Sequence, residues 1–349
     1  AVKALKLIHR QRKDLRPIID SIIRVRQYKD VISKFLGKTN GRDLEYVDGR
    51  RRSQFKTSST TSGRLSSTKD AYGKGTNLQN QPKRIRSIYI PDPGLVMWAC
   101  DAAQAEARLT AWYAGDGNYV KEFLTGQDVY INFVIEAFKL RGITKDKARQ
   151  VIPGMEYEEM TYRDLSKRAI LAIGYLLGPR SLKDQMNINA PTLDFEESDG
   201  RRFIEIYKEL RPGVVNWWRR IANEVRKNRV LYNCKGRRRK FLDRDDQREE
   251  VTDLIRSAVS FQPQSTLADH INECLVAIEK KLDHIPKAKL LLQVHDEIVG
   301  QCKLEDLEEV KSIVTTEMQK PIPLNWIDPV TKVSYPLIIP AEFKSGKNW

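Results

Sequence analysis

KLLLQVHDEIVGQC, residues 289–302, carries two apolar runs with His295-Asp296-Glu297 between them. Apolar runs of strand length on either side of a short polar break predict a β-hairpin, with LLLQV leading in and IVGQ leading back. The break itself is unusual. Turns favour Gly, Asn and Pro, and here two adjacent carboxylates stand with no local cation. Like charges so placed cost stability unless something positive binds them.

The candidate partner for this pair is Asp101, directly after the apolar strand LVMWAC at 95–100. An acidic residue that ends a buried strand stands at the rim of a sheet, where it can hold a cation. Taken alone, it reads more readily as the N-cap of the helical AEARLTAWYAG that follows. With Asp101 beside Asp296, two hard oxygen ligands would converge at neighbouring strand ends. A two-metal phosphoryl-transfer site, with Mg²⁺ ions roughly 3.5–4 Å apart, requires such a pair. A third pattern is RDLSKRAILAIGYLLG, 163–178, in which Arg163, Lys167, Leu171 and Tyr175 recur every four residues along one slowly rotating helix face. Two cations a turn apart grip a triphosphate, and an aromatic ring farther along stacks on a base or packs a sugar. The bland alternative is a solvated basic face over an apolar stripe.

Around these segments the periodicity predicts helix over 1–36, 105–149, 158–177, 203–228 and 249–282, with another near 305–319. Strands are predicted at Ile85–Ile90 and Leu95–Cys100, separated by PDPG, and again at 289–302 and 334–343. Residues 42–82 are rich in Ser, Thr, Gly and Arg, and on composition alone they read as a flexible linker. Strands that cluster around a long helical insertion predict an α+β fold with a palm-like sheet.

The chain has 349 residues, of which 40% are hydrophobic and 31% charged, which excludes a wholly disordered polypeptide. No apolar run approaches the roughly 18–20 residues that span a bilayer, which argues against an integral membrane protein. The opening AVKALKLIHRQRKD has no signal-like h-region and no initiator Met. The expectation is therefore an intracellular, non-secreted chain cut or processed from something longer. Cys100, Cys234, Cys274 and Cys302 form no CxxC pair, and the four histidines form no ligand pattern, so neither a disulfide framework nor a zinc site is expected. With 61 Lys+Arg against 46 Asp+Glu the net charge is +15, a balance that favours polyanions such as nucleic acid.

Each signal is weak alone, but their joint order resembles the polymerase portion of family A (DNA polymerase I-like) DNA polymerases. TSGRLSS at 61–67 with NLQNQP at 77–82 is similar to that family's TGRLSS…NLQNIP segment. DAAQAEAR at 101–108 is similar to its motif A, and RDLSKRAILAIGY to its fingers-helix motif RxxxKxxxFGxxY. QVHDE at 293–297 matches motif C, SAVSFQPQSTLAD at 257–269 resembles the segment whose Gln meets the primer, and GRRRKFLD resembles GRRRxxPD. With the ending GKNW, seven segments in family order cover nearly everything from 57 to 349.

The resemblance implies a right-hand polymerase fold with an antiparallel palm sheet, helical fingers and a partial thumb. The expected boundaries are a partial thumb at 1–56, palm at 57–111 and 251–349, and fingers at 112–250. It implies that Asp101 and Asp296 bind two Mg²⁺ ions, with Mn²⁺ able to substitute, and that Glu297 supports them. Lys167 and Arg163 would hold the incoming dNTP, and Lys167 would protonate the leaving pyrophosphate. Leu171, Tyr175 and Gln104 would complete the nucleotide site. Glu106 matches the steric gate that fills the space of a ribose 2′-OH. Arg64, Asn77, Gln79, Asn80, Arg84, Arg256, Gln264 and His295 would contact primer–template DNA. Gln264 and His295 would do so on the minor-groove side, where the acceptors are common to all pairs. Basic residues at 50–56 and 236–240 would contact phosphates.

Some positions depart from the family pattern. Leu171 and Ala172 replace the usual aromatic residue and Gly, and Tyr130 in QDVY stands where many relatives have His. The insertion TKDAYGKG lengthens the segment before NLQN. AILAIGY, DVY and AWYAGD resemble phage-type members more than the bacterial repair enzyme; the expected setting is the cytoplasm of a bacterial or phage-infected cell. From the short segment before the palm the expectation is no 3′–5′ exonuclease in this chain, with a separate polypeptide supplying thumb or exonuclease as one explanation. Asp194-Phe195-Glu196 has a DxE form but reads as a solvated helix edge. Two alternatives remain: a single-subunit RNA polymerase, against which Glu106 and Glu297 argue, and a basic binding module with a decayed site, against which the intact Asp101, Asp296, Arg163 and Lys167 argue.

Overall fold

The computed structural model describes residues 12–36, 46, 48–138, 142–155, 159–242 and 251–349, with Leu5 and Ile8. In chain order the elements begin with helix α1 (Arg16–Val31), strands β1 (Gln54–Lys56) and β2 (Ser66–Thr68), the one-turn helix α2 (Lys83–Arg86) and strand β3 (Val96–Ala102). A helical block follows: α3 (Ala105–Ala114), α4 (Gly117–Leu124), α5 (Val129–Ala137), α6 (Lys145–Ala148), α7 (Tyr162–Gly174), α8 (Pro179–Asn189), α9 (Glu197–Leu210) and α10 (Pro212–Asn228). After the hairpin β4 (Val230–Tyr232)–β5 (Arg238–Lys240) comes the 30-residue α11 (Asp253–Leu282). The chain continues with β6 (Lys289–Val294), β7 (Glu297–Cys302), α12 (Leu307–Met318), β8 (Ile322–Ile327), β9 (Ser334–Leu337) and β10 (Ala341–Gly346).

Four strands form one antiparallel sheet in the order β10-β3-β7-β6. Its register places Asp101 opposite Glu297 on one side and Glu342 on the other. Both central strands are largely buried, as their apolar runs require. Trp98 lies opposite Gly300 in that ladder. A Cβ on Gly300 would fall inside the Trp98 indole and 2.6 Å from the Lys289 carbonyl oxygen, so the sheet closes only with glycine there. The main apolar core runs between this sheet and the helices, and a smaller cluster of Leu78, Met97, Leu292, Val294 and Val299 lies against Phe55, Tyr89, Ala99 and Trp349.

The hairpin at 289–302 forms as expected, whereas other boundaries move for local reasons. Ile85–Ile90 is not a strand. Residues 83–86 coil into α2 after Pro82, and Ile88 and Ile90 are exposed with no sheet to bury them. The predicted helix over 105–149 breaks at Gly115 and again before Asp128 and Thr144. Asp116, Asp128 and Thr144 each cap a new helix with a side-chain oxygen. The 203–228 helix divides at Arg211, because Pro212 starts a helix but cannot continue one. The segment at 334–343 splits around Pro340. Its first part pairs with β8, which the sequence pattern did not reveal, and its second part becomes the edge of the main sheet. Parts of the predictions at 1–11, 156–158 and 243–250 lie outside the described residues.

The polar stretch that composition reads as linker is, over 50–82, built into the fold. β1 pairs with β2, and Ser67, Leu78, Gln79 and Gln81 are buried. Helix α1 buries Ile19 but leaves Ile18, Ile22 and Val25 exposed along one face, and Ile32, just past its end, is exposed too.

Candidate active site

Asp101 does not cap a helix. It lies inside β3, and α3 starts only at Ala105, after Gln104 turns the chain with φ 54°. Asp296 occupies the two-residue turn between β6 and β7, where His295 takes φ 58° in the left-handed region. That conformation is costly for a residue with a Cβ, and strain of this kind concentrates at functional sites. The Ala102 N–H donates to the Asp296 carbonyl at 3.1 Å, which ties the two acidic strand ends together.

Burial, and then the charge of Asp296, pushes the Asp101 carboxyl up to about 6, while Lys167 pulls it the other way. Asp296 is also raised, first by burial and then by Glu106, with Lys167 and Arg64 opposing. Two half-desolvated carboxylates that each resist ionisation form a site short of positive charge. Among the described residues no group of three or more His, Cys, Asp or Glu side chains gathers closely enough to enclose a metal ion. The donor set is a pair of partly buried carboxylates. That fits Mg²⁺, which binds through one or two carboxylates and completes its shell with water and substrate phosphates.

Glu106, in the first turn of α3, is the hub of the opposite wall. Arg64 pairs with it, and the Tyr175 hydroxyl donates to its Oε2 at 2.7 Å. Burial and the Glu106 charge hold the Tyr175 phenol well above its ordinary range, and Gln264 also reaches that hydroxyl. The structure thus brings Arg64, Glu106, Tyr175 and Gln264 together. His295 lies within electrostatic reach of Arg64 and Glu106. Burial and the Arg64 charge lower its pKa, which favours the neutral ring.

Helix α7 is started by Thr161, whose hydroxyl accepts from the Asp164 N–H, and it presents Lys167 to solvent within electrostatic reach of both aspartates. Arg163, one turn earlier, donates Nε to Asp128 Oδ2 at 2.6 Å and lies 5.3 Å over the Tyr130 ring. Asp128 meanwhile caps α5 through its other oxygen. Sequence reasoning missed this anchor, although the D of QDVY was its signal. Leu171 lies half-buried on α7, and its carbonyl accepts from the Tyr175 N–H at 3.2 Å. The buried Oε1 of Gln104 finds no hydrogen-bond partner among the described residues.

The remaining sequence candidates separate into two groups. Gln79 is buried, and its amide reaches the Ser67 N–H, the Leu65 carbonyl and both carbonyl oxygens of Gln293, which makes it a knot between 65–67 and the hairpin. Asn77 accepts from the Gln79 N–H at 3.0 Å, while Asn80 is exposed. Arg256 pairs with Asp253 at 2.7 Å. Arg84 belongs to α2, and its side chain lies outside the described residues. Glu297 accepts from Arg86 Nη1 at 3.1 Å, and Arg86 lies 4.3 Å over the Trp349 ring, two partners not anticipated from sequence. Of the basic run at 236–240, Arg238 and Lys240 are exposed, whereas Arg237 and Arg239 turn inward to Asp269 and Ser257.

This architecture recurs in a solved structure. It matches the "POL domain of Pol1 from M. smegmatis complex with DNA primer-template and dNTP" with a TM-score of 0.68 and 22% identity, over 98% of this chain and 52% of that one. The fold is therefore the right-hand polymerase fold, of the α+β class. The sequence model of DNA polymerase family A matches residues 2–349, and the chain belongs to that family. It is 28% identical over 358 residues to the thermostable DNA polymerase I of Thermus filiformis, which spans 100% of this chain and 37% of that protein. It is 27% identical over 318 residues to DNA polymerase I of Lactococcus lactis subsp. cremoris, which spans 89% of this chain and 33% of that protein. The chain spans about a third of the length of these curated relatives.

Proposed function

We propose that the chain carries out template-directed addition of deoxynucleotides to a primer 3′-OH, releasing pyrophosphate. The observation that carries this reading is the placement of Asp101 and Asp296 at tied strand ends with Lys167 facing both. Palm at 57–111 and 251–349, fingers at 112–250 and partial thumb at 1–56 describe the same division. The main sheet draws its four strands from the two palm segments, and the helices between them carry Lys167 and Arg163.

Asp101 and Asp296 would hold two Mg²⁺ ions, which when bound supply Lewis acidity to the 3′-OH and to the phosphates. Lys167 would meet the triphosphate and offer a proton to the leaving pyrophosphate. Arg163, fixed by Asp128, would hold the phosphates from one turn farther along the helix. Glu106, fixed by Arg64 and Tyr175, fills the space that a ribose 2′-OH would need. Burying a hydroxyl against it without a partner costs about 1–3 kcal/mol. Neutral His295 and Gln264 would face the minor groove of the last base pair, checking its shape and not its sequence.

Primer–template DNA and dNTPs are the partners of this reading, and the cell interior is its setting. No described helix is long and apolar enough to cross a membrane. The exposed apolar face of α1 supports a further proposal, that a helix from another segment or polypeptide packs there to complete the thumb. The deciding assay is extension of a labelled primer–template with Mg²⁺ and either dNTPs or rNTPs, comparing wild type with Asp101→Ala and Asp296→Ala. The expected result is dNTP-dependent extension that both substitutions abolish. No extension by the wild type, or undiminished extension by both variants, overturns the reading.

A further inference from the structure

Arg237 lies in the turn of the β4–β5 hairpin, away from the carboxylate pair, and its guanidinium is held as a fork. Nε donates to Asp269 Oδ1 and Oδ2 at 2.9 and 3.0 Å, and Nη2 donates to Oδ1 at 2.6 Å. Asp269 belongs to α11, the same helix that carries Gln264. The outer side of the same guanidinium covers the backbone of Gly63. A Cβ built on Gly63 would fall 2.5 Å from the Arg237 Cζ and 2.7 Å from Nη2, and Gly63 itself has φ +80°. Asn272, one turn beyond Asp269, donates Nδ2 to the Gly63 carbonyl at 3.2 Å. The Thr60 hydroxyl donates to the carbonyl of Arg64 at 2.8 Å. The peptide that launches the Arg64 side chain is thus gripped by a planar cation on one side and by two hydrogen bonds to its neighbouring carbonyls. From that peptide Arg64 reaches Glu106, which also receives Tyr175.

We propose that Arg237 is a positioning residue of the polymerase site: locked on Asp269, it fixes the Gly63 backbone and so aims Arg64 at Glu106 and at the primer end of the site. The inference rests on the polymerase reading above. It follows from shape as much as from charge. A guanidinium is flat and forked, so it can bond a carboxylate along one edge while a peptide lies against its face; an ammonium can do only the first. Glycine at 63 is the complement of that flat face, because any side chain there would displace it. The arrangement links the β4–β5 hairpin and α11 to the wall that faces the nucleotide sugar. It also gives Arg237 a use beyond phosphate contact, since its Nε and Nη2 are turned to Asp269.

The test is steady-state primer extension by wild type, Arg64→Ala, Arg237→Gln, Arg237→Lys and the Arg64→Ala/Arg237→Gln double variant, with thermal melting of each. The expected result is at least about a tenfold loss of kcat/KM in Arg237→Gln with little change in melting temperature, and partial recovery in Arg237→Lys. In the Arg64→Ala background, Arg237→Gln should add less than about threefold, because both substitutions disable one unit. If Arg237→Gln does not fold, Asp269→Asn, which keeps the shape and weakens the fork, is read by the same criteria. Losses that multiply, or an Arg237→Gln variant within about threefold of wild type, overturn the assignment while leaving the polymerase reading intact. A wild type that extends no primer overturns that reading, and the assignment with it.

Discussion

Tyr175 and Arg64 meet on one carboxylate: the phenol donates to Glu106 Oε2 at 2.7 Å while the guanidinium takes Oε1. They come from the end of α7 and from the loop between β1 and β2, so Glu106 joins two walls of the site. Both of its carboxylate oxygens are held. Glu106→Ala is expected to raise ribonucleotide incorporation, lowering the ratio of kcat/KM for dNTP over rNTP by at least about tenfold, or 1.4 kcal/mol. Tyr175→Phe, which frees Glu106 without removing it, should lower the ratio less. Equal selectivity before and after Glu106→Ala would sink the gate.

The carboxylate pair Asp101 and Asp296 should weaken the metal-free protein. With its pKa raised to about 6, Asp101 contributes stability only while protonated. That contribution is full below the ordinary carboxylate range and is lost as the pH rises through about 6. Asp101→Asn removes the repulsion, so at pH 7.5 without metal it should melt above wild type by a few degrees, on the order of 1 kcal/mol. The gap should close toward pH 5. Millimolar Mg²⁺ should stabilise wild type more than the variant. Differential scanning calorimetry at both pH values checks each part, and a variant that melts below wild type at pH 7.5 would contradict the account.

Gly300 tests the sheet rather than the chemistry. Its missing side chain is the space that the Trp98 indole fills, and the Lys289 carbonyl closes the other side. Gly300→Ala should therefore cost about 1–3 kcal/mol through overpacking, visible as a lower urea midpoint with an unchanged slope. A midpoint equal to wild type would show that the indole can move aside.

The sheet and the two carboxylates at its strand ends were legible because their signal is local. Apolar runs broken by HDE, and one ending at Asp101, mark strand ends by period and polarity alone. The contacts that aim the site were not legible, because their partners are remote in sequence. Arg163 meets Asp128 across 35 positions and Glu297 meets Arg86 across 211. Ile85–Ile90 misled for a different reason: a short apolar run says nothing about whether a neighbouring strand exists to cover it. Gln79, read as a DNA contact, is occupied inside the fold, where a buried amide must find partners. The basic run at 236–240 likewise divides between an outward face and an inward one, since alternate residues of a hairpin point to opposite sides.

The central claim is that Asp101 and Asp296 together hold the ions that activate the primer end and the triphosphate. Anomalous diffraction locates those ions most directly, in a ternary complex of the wild type with primer–template ending in a dideoxynucleotide, the next dNTP, and Mn²⁺ in place of Mg²⁺. The account predicts two peaks roughly 3.5–4 Å apart, with carboxylate oxygens of Asp101 and Asp296 in their coordination shells. Peaks bound elsewhere, with both aspartates unligated, would contradict it.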